Sequence, residues 1–185
     1  MQINNTIILV FITMSFTQQG PVGCQKEKSD SSKIIWTEDR KLTWADFKKV
    51  VNDTSYFTAY SDCSLYFKFE IKRDVLKSYT VYAYFNKERS WAKACPAYLL
   101  EHEQLHFDIV ELHARKIRKF IHDKDGKLSP EELNNFLKKN TESLIRTNKQ
   151  YDDTTRHSRD IEAQMHWEDS ISQELKSLEG LSSRK

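Results

Sequence analysis

The chain has 185 residues, 38% hydrophobic, 12% aromatic and 30% charged, with a net charge of +2. That length suits one domain able to bury a core without disulfide or metal staples. The aromatic content excludes a disordered chain, and 4 Gly and 3 Pro exclude collagen-like or linker-rich architectures; the balanced charge excludes a phosphate-seeking surface for nucleic acid.

No charged residue precedes Lys26, and Ile7 to Phe16 reads IILVFITMSF. Ten apolar or small residues are too few to span a bilayer but match the apolar core of a secretory signal peptide. Val22-Gly23-Cys24 resembles the end of a bacterial lipoprotein signal. The expectation is therefore that residues 1–23 are removed; Cys24 then either carries a lipid attaching the chain to a membrane or, as the alternatives, follows a simple cleaved signal or pairs with another cysteine. The protein is then exported, to the periplasm, the cell envelope or the outside. Residues 24–33 are polar and read as a flexible tether, and residues 34–180 form the domain. With Cys24 lipidated, Cys63 and Cys95 are left as a candidate disulfide in an oxidising compartment, the alternative being two buried thiols.

Trp36 and the segment Leu42 to Phe47 predict a strand followed by a short helical turn. Residues 54–61 predict another strand. In Ser64 to Arg73, Leu65, Phe67, Phe69 and Ile71 alternate with Tyr66, Lys68, Glu70 and Lys72. That is the period-two pattern of a half-buried strand. Tyr79, Val81, Ala83 and Phe85 repeat it, and Asp74 to Ser78 would join the two as an antiparallel pair. The pattern then turns helical. Ala97 to Ile121 carries apolar residues at helical spacing with no Gly or internal Pro. Ser129-Pro-Glu-Glu132 starts a second helix through a capping box, with Pro130 at its first position, running to about Thr147. A third helix covers about Asp160 to Leu178. Strands first and helices after predict an α+β domain, an N-terminal antiparallel sheet followed by three helices.

The long helix contains His102-Glu103-Gln104-Leu105-His106, an H-E-x-x-H sequence. Imidazoles four residues apart project from one helix face and can share one Zn²⁺. Glu103 sits beside the first of them, placed as a general base toward a metal-activated water. A third protein ligand leaves one coordination position open. His157, in Tyr151-Asp-Asp-Thr-Thr-Arg-His157, is the candidate, on a polar loop before the last helix; an exposed loop histidine is its alternative. In that segment Tyr151 is placed to polarise a substrate carbonyl, and Asp152 and Asp153 to hydrogen-bond a ligand from outside.

The other histidines read differently. His113 stands two turns past His106, about 10 Å along the axis, and so reads as a surface group or an outer partner of the ligands. Glu111 reads as a helix-surface partner of Arg115. His166 reads as packing or surface, and His122 as a helix-end residue suited to the dipole. Asp123-Lys-Asp-Gly126 resembles part of a calcium loop, but Ile121 falls where its first carboxylate belongs, so the segment reads as turn and cap.

Ile35-Trp36 with Leu42-Thr-Trp44-Ala-Asp-Phe47, Ser90-Trp91, Leu99 through Ile109, Tyr151-Asp152 with Thr155 and His157, and Gln164 with Trp167 together resemble the bacterial domain-of-unknown-function family 922. The resemblance covers about residues 34 to 178. It implies a secreted or envelope-associated, zincin-like fold and a zinc peptidase, with His102 and His106 as metal ligands and Glu103 as base. His157 matches a characteristic His after the Tyr-Asp motif; a Gly usually follows it, where this chain has Ser158. The expected function is hydrolysis of peptide bonds in a peptide or protein substrate, with the 79–85 strand as the edge that receives it. The alternative is a non-catalytic envelope lipoprotein or binding module whose metal site is structural or unused.

Overall fold

The computed structural model describes residues 32–51, 55, 57–72, 75–125 and 127–182, with the backbone of residues 7–9. The elements are β1 (Ile7–Leu9), β2 (Lys33–Ile35), β3 (Ala59–Tyr60), β4 (Cys63–Lys72), β5 (Val75–Asn86) and β6 (Trp91–Ala92), then α1 (Ala97–Asp123), α2 (Pro130–Thr155) and α3 (Ile161–Ser177). A short 3-10 turn at Trp44–Asp46 follows β2, as expected. Apart from β1, the proposed signal segment and Cys24 lie outside the described residues. No helix among the described residues is long and apolar enough to cross a membrane.

The architecture is α+β. A four-stranded antiparallel sheet has the order β1-β4-β5-β2, and β3 pairs with β6 in a separate two-stranded ribbon. The alternation in β4 buries Leu65, Phe67 and Phe69, while Val81, Ala83 and Phe85 of β5 line the same face. The long helix α1 packs across that face through Phe107, Val110 and Ala114. Phe85 and Phe107 meet with ring centroids 6.1 Å apart. Phe107 is fully buried, so Phe107→Ala would cost about 3–5 kcal/mol.

Two strand expectations change. The β4–β5 connection is shorter than Asp74 to Ser78, because β5 already begins at Val75. A register shift between Glu70 and Ile71 resets the alternation near the tip, which hides the strand from a period-two reading. The 79–85 segment is also not a free edge, since β2 pairs with its end at Tyr84 to Asn86 and Trp36 N–H donates to the Ala83 carbonyl.

The helix termini follow their sequence signals. Ser129 and Glu132 form the expected reciprocal box at the start of α2, and Asp160 caps α3 by accepting from Ala163 N–H. The end of α2 does not follow them: the helix runs through Thr155, so Tyr151 and Asp152 are helical and not in a loop. Arg156, His157 and Ser158 then turn the chain in three successive left-handed residues, φ 51°, 53° and 69°. Cys63 is a free thiol and Cys95 is disulfide-bonded, which excludes the expected pairing of the two; the partner of Cys95 lies outside the described residues.

Candidate metal centre

α1 is unbroken through His102 and His106, so their rings share one side of the helix, with centroids 4.8 Å apart. The facing wall is α2, where Asn148, Tyr151, Asp152 and Thr155 recur at steps of three and four and therefore share a face. Asp152 Oδ1 lies 3.1 Å from His102 Nε2 and 3.2 Å from His106 Nε2. One ligand atom from each of these three residues falls within 4.8 Å of the others.

The tautomer of His106 follows from its other contact. Asn148 Nδ2 donates to the Leu144 carbonyl at 3.1 Å, which turns Asn148 Oδ1 toward His106 Nδ1 at 2.7 Å. An amide oxygen only accepts, so Nδ1 carries the hydrogen. The lone pair of the neutral ring then sits on Nε2, facing a carboxylate oxygen. Two acceptors at 3.2 Å require a positive species between them, a proton or a metal ion. With a proton there, burial works to lower the His106 pKa, but the bond to Asp152 and its charge, helped by Glu103 and Asn148, raise it to about 9. Burial likewise works to raise the Asp152 pKa, but His102 and His106 hold that carboxyl far below its ordinary range.

A metal ion fits the same place. Ligands of a tetrahedral zinc at about 2.0–2.1 Å lie roughly 3.3 Å from one another. The separations of 3.1 and 3.2 Å match that edge, and two imidazole nitrogens with a carboxylate oxygen are donors zinc accepts.

Tyr151 is fully buried, stacks on His102 at 4.5 Å and donates its hydroxyl to the His102 carbonyl at 3.4 Å. A side chain with no exposed surface does not meet a substrate, so the carbonyl-polarising role expected of it is replaced by support of the His102 ring. Buried His102 Nδ1 has no hydrogen-bond partner among the described residues, so stacking holds that ring. His157 approaches the same carboxylate, with Nδ1 3.3 Å from Asp152 Oδ1, and remains half-exposed against the Phe57 ring. Asp152, expected as an outer hydrogen-bond partner, is the residue in direct register with both histidines. Its i, i+4 spacing from Asn148 is the signal that a longer second helix would have exposed.

Glu103 is buried beside His102, and among the described residues no hydrogen bond or ion pair occupies its carboxylate. The remaining candidates move away from the site. His113 is not at the surface: it is 1% exposed and bonded to Asn140. Glu111 is also fully buried, held by Arg115 and by Arg118. His122 and His166 are exposed. A separate cleft on another flank of α1, lined by Leu42, Leu100, Gln104, Asp108 and Glu168 among others, includes none of the histidines.

Residues 23–158 match a family described as bacterial protein of unknown function (DUF922). No curated protein and no solved structure matches the chain.

Proposed function

We propose that this chain, which belongs to the DUF922 family of bacterial proteins of unknown function, is a zinc-dependent hydrolase of peptide bonds with a zincin-like site. The observation that supports this reading is the approach of Asp152 Oδ1 to His102 Nε2 at 3.1 Å and to His106 Nε2 at 3.2 Å, the three ligand atoms lying within 4.8 Å of one another, beside a Glu103 that has no hydrogen bond or ion pair among the described residues. These three side chains would hold the ion, which would supply Lewis acidity and make water nucleophilic near neutral pH. Glu103 takes the proton released by the attacking water and delivers it to the leaving amine. Asn148 keeps His106 in the tautomer that presents Nε2, Tyr151 stacks His102 in place, and His157 holds Asp152 from its exposed side. The substrate is a peptide or protein met after export.

Metal analysis of the purified protein beside Glu103→Ala tests the reading. About one zinc per chain is expected in both proteins, with hydrolysis of a mixed peptide library lowered by roughly 10²–10⁴-fold in the variant. A wild-type protein without stoichiometric metal defeats the proposal. Equal hydrolysis by both proteins removes Glu103 from it.

A further inference from the structure

We infer that the buried pair His113 and Asn140 is a positioning device for the metal centre, setting the register of α2 on α1 so that Asp152 reaches both His102 and His106. The inference rests on the reading of Asp152 as a metal ligand. The α1–α2 interface carries the same bond twice: His106 Nδ1 to Asn148 Oδ1 at 2.7 Å, and His113 Nδ1 to Asn140 Oδ1 at 3.0 Å. The second pair lies 7 residues further along α1 and 8 residues back along α2, two turns on each antiparallel helix. Asn140 Nδ2 also faces the His113 carbonyl at 3.4 Å, which orients the amide as Leu144 orients that of Asn148.

The leucine end of the buried face of α2 explains why a register device is needed there, since Tyr151 and Thr155 occupy only the metal end. Leu133, Leu137 and Leu144 are near-interchangeable knobs, and a leucine seam tolerates displacement by one turn because one leucine replaces another. One turn is about 5.4 Å, while metal ligands must hold their distances to within about 0.2 Å. A histidine and an asparagine inside the seam forbid that slip, because sliding would bury both without partners. The pair is not arranged for stability alone. His113 Nε2 is buried with no partner among the described residues, and burial pushes the His113 pKa down to about 4 even against its bond to Asn140. A polar group retained at such a cost is the pattern of a register determinant.

The experiment compares wild type, the doubly apolar H113L/N140L and the acceptor-preserving Asn140→Asp. Zinc affinity is measured by chelator competition, and the His106 imidazole is followed by ¹⁵N NMR in the metal-free protein. H113L/N140L is expected to melt at or above the wild-type temperature. It should bind zinc about 10–100-fold more weakly and lose the His106 Nδ1–H signature of the Asn148 bond, while Asn140→Asp retains both. Wild-type zinc affinity and an unchanged His106 spectrum in a folded H113L/N140L overturn the inference. If the wild type binds no zinc, the functional reading fails; the metal-free spectra still decide the register role, by loss or retention of the His106 signal.

Discussion

The two halves of α1 bury charge in opposite ways. In the C-terminal half, Glu111 is enclosed between two guanidiniums: Arg115 Nε donates to Oε1 at 3.0 Å, and Arg118 donates to Oε1 and Oε2 at 3.1 and 3.0 Å. The spare guanidinium hydrogens reach the carbonyls of Leu175, Leu181 and Val81, which ties α3, the C-terminal turn and the sheet to α1. There one carboxylate answers both guanidiniums, and the protein's own carbonyls take their remaining hydrogens. In the N-terminal half, Asp152 Oδ1 collects three imidazole nitrogens and no lysine or arginine. Buried charge is stable only when paired, so the first cluster is complete by itself and the second needs a proton or a cation from outside.

Glu111→Gln is the most severe way to break the comparison. It keeps the shape but leaves Arg115 and Arg118, 3% and 5% exposed, without a counter-charge. The expected loss is about 3–5 kcal/mol in denaturant unfolding. Zinc affinity of the folded fraction should stay at the wild-type value, because no group at His102, His106 or Asp152 touches Glu111. A loss of affinity equal to the loss of stability would mean that the two halves are one cooperative site.

Titration of the metal-free protein sharpens the contrast. The folded His106 pKa, raised from 6.5 to about 9, exceeds its unfolded value. Its stabilising contribution is therefore complete below about pH 6.5 and disappears as pH rises through about 9. The lowered Asp152 pKa acts at the other end: its contribution is present above the ordinary carboxylate range and falls away as pH drops. Metal-free protein should lose up to about 3 kcal/mol between pH 6.5 and 9, measured by urea unfolding at each pH. With saturating zinc the alkaline loss should vanish, because the ion replaces the proton. A metal-free protein whose stability is flat from pH 6.5 to 9 would show that His106 carries no bound proton.

The sequence disclosed these regions unequally, for physical reasons. Leu65, Phe67 and Phe69 declare a strand by period two, Ser129 and Glu132 declare a helix start by their side-chain chemistry, and His102 and His106 declare a shared face by spacing alone. The last two turns of α2 do not declare themselves. Asn148, Asp152, Asp153, Thr154 and Thr155 are weak helix formers that favour turns in isolation, and the burial of Tyr151 against His102 is a tertiary contact no local pattern contains. A local reading therefore places Asp152 in a loop as an outer partner of the histidines, where the fold sets it on α2 facing His102 and His106. Glu111 shows the same limit: a carboxylate four residues before an arginine looks like a solvated helix pair, and only Arg118 and the returning C-terminal carbonyls make it a buried clamp.

The smallest expected effect lies in the turn that carries His157. Of the four non-glycine residues with positive φ among those described, three are consecutive at Arg156, His157 and Ser158. Strain therefore gathers beside the incomplete cluster and not beside the complete one, which has none. A left-handed residue costs about 1–2 kcal/mol when it carries a Cβ, and Ser158, at φ 69°, occupies the place where the family resemblance puts glycine. Ser158→Gly removes that cost and adds about 0.5–1 kcal/mol of unfolded-state entropy. The net expectation is a stabilisation of about 0.5–1 kcal/mol, read as a small rise in Tm. Zinc affinity should hold or increase slightly, since His157 and Asp152 keep their positions with less opposing strain. A lowered Tm would show that the Ser158 hydroxyl holds the turn, and that the left-handed run is supported by its side chains rather than imposed on them.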